Sequence, residues 1–163
     1  MLTVKTKRHE REHGTIVVLM ALGVVLVLMF AGLAIDGSNA YVQHRRMQNA
    51  ADAGALAGAR CLAQPYVTNE SVLSAVQRFA EENGAPKSRL RVEYVSNDSR
   101  LGTVESYGLS YPPPQEATGV YVLASVNYKL FFGGIFGLRQ KTSSAEAVAR
   151  VGATRALDTT SFL

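Results

Sequence analysis

Few residues of this chain stand in a pattern that does chemistry. The histidines are His9, His13 and His44. The first two fall in a basic N-terminal arm and the third adjoins Arg45, so no three-ligand metal set emerges. Neither HExxH nor GxSxG occurs. Gly133-Gly134-x-x-Gly137 has the glycines of a phosphate loop but lacks its lysine and a following helix. Asp36 and Asp52 lie about four to five turns apart on one helix, too far to work as a general acid and base. Cys61 is the single cysteine, which excludes an intramolecular disulfide. It reads as a small buried residue on an alanine-rich helix, with a cross-link between chains as the alternative. The expectation is a protein with no catalytic residue, no cofactor and no metal, and therefore not an enzyme.

The elements that carry these groups are dominated by residues 15–35, TIVVLMALGVVLVLMFAGLAI, twenty-one residues without charge or proline. At about 1.5 Å per residue, such a helix spans roughly 30 Å, the hydrocarbon thickness of a bilayer. A single helix satisfies its own backbone in lipid. A buried core helix would show a polar face, and a secretory signal would have a shorter apolar region. A-x-A-like spacings downstream keep cleavage open, but a retained span is the reading. Lys5, Lys7, Arg8 and Arg11 precede it, whereas Asp36, Arg45 and Arg46 follow. That bias predicts a cytoplasmic N-terminus and places the residues beyond 35 across the membrane.

About 128 residues remain, enough for one small domain. The net charge of +4 and the pI near 9.4 come from a slight excess spread along the chain. No basic stripe with interleaved aromatics appears, which argues against nucleic-acid binding.

Residues 1–14 read as a cytoplasmic arm and 15–35 as the span. Asp36-Gly37-Ser38-Asn39 either ends the helix or is a soft point inside a longer one. From Ala40 to about Ala63 the pattern is helical and almost without bulk. Ala50, Gly54 and Gly58 recur every four residues on one face. Each glycine costs about 1 kcal/mol relative to alanine in a helix, so the ridge points to a close-packed partner, helix or sheet. A second helix is expected after an Asn69 N-cap, with Val72, Val76, Phe79 and Ala80 on its apolar face and Asn83-Gly84 as its stop.

The period then changes to two. Leu90, Val92 and Tyr94 alternate with Arg89, Arg91 and Glu93. Ser96-Asn97-Asp98-Ser99 reads as a turn and 103–118, with three consecutive prolines, as an extended loop. Longer strands are expected from Val120 to Leu130 and over 141–151, the latter with Ala145, Ala147 and Ala149 on one side. Between them lies FFGGIFGL, whose Phe131, Phe132, Ile135 and Phe136 would be costly in water unless covered. Core packing, a membrane interface and a neighbouring subunit are the three readings of that loop. The domain, 36–152, is thus an antiparallel sheet of three to four strands on the alanine-rich helix, and 153–163 is a tail.

Glu12-His13-Gly14-Thr15, the apolar run, Ala31-Gly32-Leu33-Ala34-Ile35-Asp36-Gly37, Tyr41 and Arg46-Met47-Gln48-Asn49-Ala50-Ala51-Asp52-Ala53-Gly54-Ala55-Leu56-Ala57-Gly58-Ala59 together resemble the N-terminal module of TadE/TadG-like proteins. These are membrane-anchored, pilin-like proteins of the tight-adherence (Flp-type) pilus machinery. The FFGGIFGL segment and its flanking strands are similar to the family more weakly.

The resemblance implies a pilin-like α+β fold and a structural or assembly role in a pilus or secretion apparatus. Its implied partners are the lipid bilayer, other pilin-like subunits and the platform proteins of the inner membrane. The implied location is the bacterial cytoplasmic membrane, single-pass, with a periplasmic or extracellular domain that can enter a pilus. Asp36, Tyr41, Ala50, Gly54 and Gly58 become candidate packing and assembly positions. Asp36 would either pair with a neighbour's basic group or mark where the helix meets water. Gly14-Thr15 is the candidate processing junction, although the fifth residue beyond Gly14 is Leu19 where processed pilins usually carry glutamate. The larger members' von Willebrand A-like domain has no counterpart to its D-x-S-x-S run here. The alternative function is a membrane-tethered module that binds a ligand or cell-wall polymer through 103–118.

Overall fold

The computed structural model describes residues 10–97 and 99–152. Most of the expected cytoplasmic arm, including Lys5, Lys7 and Arg8, and the whole expected tail 153–163 lie outside the described residues. Helix α1 is Glu10–Leu62, so the helix carries on through Asp36-Gly37-Ser38-Asn39. The chain divides into two compact units. One holds the described residues up to Ala40 together with Lys129–Gln140, and the other holds Tyr41–Tyr128 and the residues from Lys141 onward.

In the first unit, α1 is apolar on every side between residues 14 and 35 and open along that length except at Gly32. It is the one candidate membrane span among the described residues, by length and composition. The same unit contains the tip that joins the last two strands, which includes a single 3-10 turn, Gly133–Phe136.

In the second unit, α1 meets α2 (Asn69–Glu82) and a four-stranded sheet. The cap of α2 is Thr68 and not the expected Asn69. Thr68 Oγ1 accepts from the Ser71 amide at 3.3 Å, and Ser71 Oγ accepts from the Thr68 amide at 3.1 Å. This reciprocal box satisfies two end groups at once and frees the Asn69 side chain to turn inward. Phe79 also departs from expectation, being 41% exposed while Val72, Val76 and Ala80 are fully buried. The helix stops at Asn83, and Gly84 takes the left-handed backbone that a Cβ would oppose.

The strands are β1 (Leu90–Val95), β2 (Arg100–Thr103), β3 (Gly119–Lys129) and β4 (Gln140–Arg150), in the order β2-β1-β3-β4. β1 runs antiparallel to both neighbours, with Val92 opposite Val122 and Tyr94 opposite Val120. Hydrogen bonds from Leu130 to Arg139 and from Val151 to Thr118 set β4 antiparallel to β3. β2 fills the gap between the expected turn and the stretch 103–118 expected to be an extended loop, and a short 3-10 turn, Val104–Tyr107, occupies the start of that stretch.

The core is small-residue where α1 contributes and β-branched where α2 and the sheet contribute. Ala55, Val72, Val76, Val92, Val120 and Val122 form one cluster with Tyr94; Met47, Ala50, Ala51, Ala80 and Ala124 form another. The opposite face of the sheet is not simply solvated. Glu93 is 3% exposed and is held by Arg91 at 2.6 Å and Arg100 at 3.6 Å. The Arg100 guanidinium in turn lies 3.7 Å over the ring of Tyr121.

Candidate functional site

The first unit brings together two stretches about 95 residues apart in the sequence: the end of the apolar run of α1 and the FFGGIFGL tip. As β3 ends, the chain must reverse, and the amides of Phe131, Phe132 and Gly133 lose their strand partners. All three donate to the carboxylate of Asp36: Phe131 to Oδ1 at 2.7 Å, Phe132 to Oδ2 at 3.1 Å and Gly133 to Oδ2 at 2.7 Å. Asp36 is 8% exposed. A carboxylate at that depth is stable only when its oxygens are satisfied, and charge-assisted amide bonds are the stronger kind. The sequence offered water or a neighbouring cation as its partner; the carboxylate meets this chain's own backbone instead.

Two glycines make the approach close enough. A Cβ on Gly32 would fall 2.7 Å from Cγ of Phe132, so the bare backbone of α1 is what lets that ring lie against it. A Cβ on Gly133 would fall 2.8 Å from both Leu130 Cδ1 and the Leu138 carbonyl oxygen. The tip also closes on itself. Leu138 donates to the Gly133 oxygen at 2.9 Å, and Gly137 adopts a left-handed conformation with φ of +79°. Asn39 adds a fourth tie, donating from Nδ2 to the Lys129 carbonyl at 3.2 Å. Phe131, Ile135, Phe136 and Leu138 are left 72%, 79%, 68% and 62% exposed.

The other expected positions lie elsewhere. Gly14 and Thr15 are exposed and helical, inside α1. Tyr41 is exposed, whereas Ala50, Gly54 and Gly58 are buried within the second unit. A Cβ on Gly58 would stand 2.8 Å from Val76 Cγ2 and 3.1 Å from Val120 Cγ1; one on Gly54 would stand 3.2 Å from Val76 Cγ1. The ridge is therefore filled by this chain's own α2 and β3. Cys61 is half-buried at the margin of the core.

The loop after β2 is fastened to the start of α2. The Asn69 and Glu70 amides donate to the carbonyls of Tyr111 and Leu109, each at 2.9 Å. The buried Asn69 side chain donates to the Gly108 carbonyl at 2.9 Å and accepts from the Tyr94 hydroxyl at 2.7 Å. Burial, with a smaller contribution from nearby Cys61, pushes the Tyr94 hydroxyl pKa well above its usual value. Among the described residues, no group of three histidine, cysteine or acidic side chains stands close enough to hold a metal ion.

Gly32, Asn39 and Lys129 were not singled out by sequence reasoning. Gly32 had a signal, since it sits one helical turn before Asp36 in AGLAIDG. Asn39 and Lys129 had none, because their tie is made by a backbone carbonyl.

A long apolar N-terminal helix, continuing into an alanine-rich half that packs with a second helix on a four-stranded antiparallel sheet, makes an α+β architecture whose first helix is long and apolar enough to cross a membrane. The Flp pilus-assembly TadE/G-like family matches residues 14–60, and the Tad-like Flp pilus-assembly family matches residues 49–149. The chain belongs to the TadE/G-like family of Flp pilus assembly. No curated protein and no solved structure matches it significantly. The family is one of structural and assembly proteins, which associate with other pilus components and a membrane.

Proposed function

We propose that this protein is a pilin-like subunit or assembly factor of a tight-adherence (Flp-type) pilus, held in the bacterial cytoplasmic membrane by a single span. The observation that carries this reading is α1 itself. Its first half is apolar all round and nearly all uncovered, and it lies in the same helix, and in the same family match, as the alanine-rich half that organises the domain. Such a helix can remain in lipid while the subunit is alone, or exchange lipid for neighbouring helices in an assembly. The excess of basic residues before the span favours a cytoplasmic N-terminus and a domain on the far side. Asp36 and the tip it holds sit at the boundary where inner-membrane platform proteins and other subunits would meet the chain.

Deletion of the gene should abolish tight-adherence pili, and the tagged full-length chain should co-purify with the platform or the filament. A C-terminal alkaline phosphatase fusion should be active and a C-terminal cytoplasmic reporter inactive. Normal piliation in the deletion strain, with no co-purifying pilus component, would overturn the assignment. N-terminal sequencing of protein from native membranes reads directly whether the chain is cut after Gly14.

A further inference from the structure

We infer that the 131–138 tip is a second membrane contact, with Phe131, Ile135, Phe136 and Leu138 entering the leaflet from which α1 emerges. The inference rests on α1 spanning the bilayer, as proposed above, and adds a site that the span does not require.

The level of the tip is fixed by contacts inside one compact unit. The Asp36 carboxylate takes its three amides at the first polar residue after the apolar run. The ring of Phe132 rests on Gly32, one turn, or about 6 Å, back toward the middle of that run. The tip therefore reaches below the polar boundary of α1. Leu33 and Ile35 of α1 are uncovered at the same level, being 69% and 48% exposed, so the apolar surface of the span continues onto the tip.

The charge pattern agrees. Lys129 and Arg139 flank the apolar tip, and both are exposed. A greasy tip with a cationic collar is complementary to acyl chains lying under anionic phosphates, with the long basic stems reaching out to the headgroups. An interfacial segment of this kind buries its apolar face roughly 5–10 Å below the headgroups, a depth consistent with the Gly32 contact.

The absence of tryptophan from the chain makes the test direct. Full-length protein would be placed at one copy per nanodisc of phosphatidylethanolamine and phosphatidylglycerol, with lipids brominated on their acyl chains as quenchers. Three variants each carry one reporter: Leu22→Trp in the span, Ile135→Trp at the tip and Tyr66→Trp at an exposed position of the other unit. Leu22→Trp and Ile135→Trp should each lose about half or more of their emission, and Tyr66→Trp should lose little.

A quenched Leu22→Trp beside an unquenched Ile135→Trp overturns the tip contact and leaves the span standing. An unquenched Leu22→Trp overturns the span and the tip contact together. Equal quenching at all three positions overturns a contact specific to the tip. If Ile135→Trp changes only in discs that hold two copies, the tip is an interface between subunits and the inference fails. Asp36→Ala combined with Ile135→Trp should lower the quenching, and unchanged quenching overturns the carboxylate's part in setting the depth.

Discussion

The two halves of α1 share a backbone conformation and little else. Between residues 14 and 35 the helix displays Leu, Val, Met and Phe on every side, nearly all uncovered. From Met47 to Ala59 the buried positions are almost all alanine and glycine, pressed against Val76, Val120 and Ala124. Bulk suits a helix whose surroundings are fluid acyl chains, because lipid adapts to any side chain. Smallness suits a helix whose surroundings are a fixed sheet, because close-packed neighbours leave room for nothing else. Asp36 and Gly32 lie near the changeover, where the helix takes a loop of its own chain as partner.

The sharpest way to break this contrast is a charge in the first half. Leu22→Arg should cost about 3 kcal/mol of membrane insertion while leaving the thermal unfolding of the second unit unchanged. Fractionation would find the protein shifted out of the membrane; loss of the domain's folding would mean that the halves are not independent. Gly58→Leu is the converse experiment. With Val76 and Val120 already in contact distance, overpacking should cost about 2–3 kcal/mol of domain stability by chemical denaturation. Membrane fractionation of that variant should not change.

Asp36→Ala tests the changeover. Three amides lose a charge-assisted partner, which should cost about 1–3 kcal/mol locally. Hydrogen exchange at Phe131, Phe132 and Gly133 should speed up about tenfold or more, with little effect at Val120 or Val122.

The smallest effect concerns pH and the sheet against which the second half of α1 packs. The Tyr94 hydroxyl is raised by burial, and that of Tyr121 by burial and by its 2.6 Å bond to Glu146. Both folded-state values lie above the unfolded one, so the folded chain holds these protons longer. The linked stability is complete below pH about 10 and declines as the pH rises through the folded values. Denaturation midpoints should fall above pH about 10, and Tyr94→Phe should flatten that fall while costing about 1 kcal/mol at neutral pH for the lost bond to Asn69.

Much of the architecture was legible because it is written in local periodicity. Leu90, Val92 and Tyr94 mark a strand by alternation, and Gly54 and Gly58 mark a close contact by their cost in a helix. What escaped was set by partners far along the chain. Glu93 alternates as a solvent-facing residue should, yet Arg100 from the next strand and Tyr121 from β3 cover it. β2 is four residues with no apolar alternation, and it exists because β1 offers it an edge. Asn69 has the chemistry of a cap, but Thr68 takes that role because Asn69 is needed inside by Tyr94 and the Gly108 carbonyl.

The sequence alone determined that residues 15–35 form a helix able to cross a bilayer, that its continuation is slim, and that a sheet lies after it. Those properties depend on side-chain size and polarity read over neighbouring positions. The tertiary structure alone decided that the helix continues through Asp36-Gly37-Ser38-Asn39 and that Asp36 holds the hairpin tip. A carboxylate's choice among water, a cation and three amides depends on which backbone is brought to it, and no spacing within the helix records that.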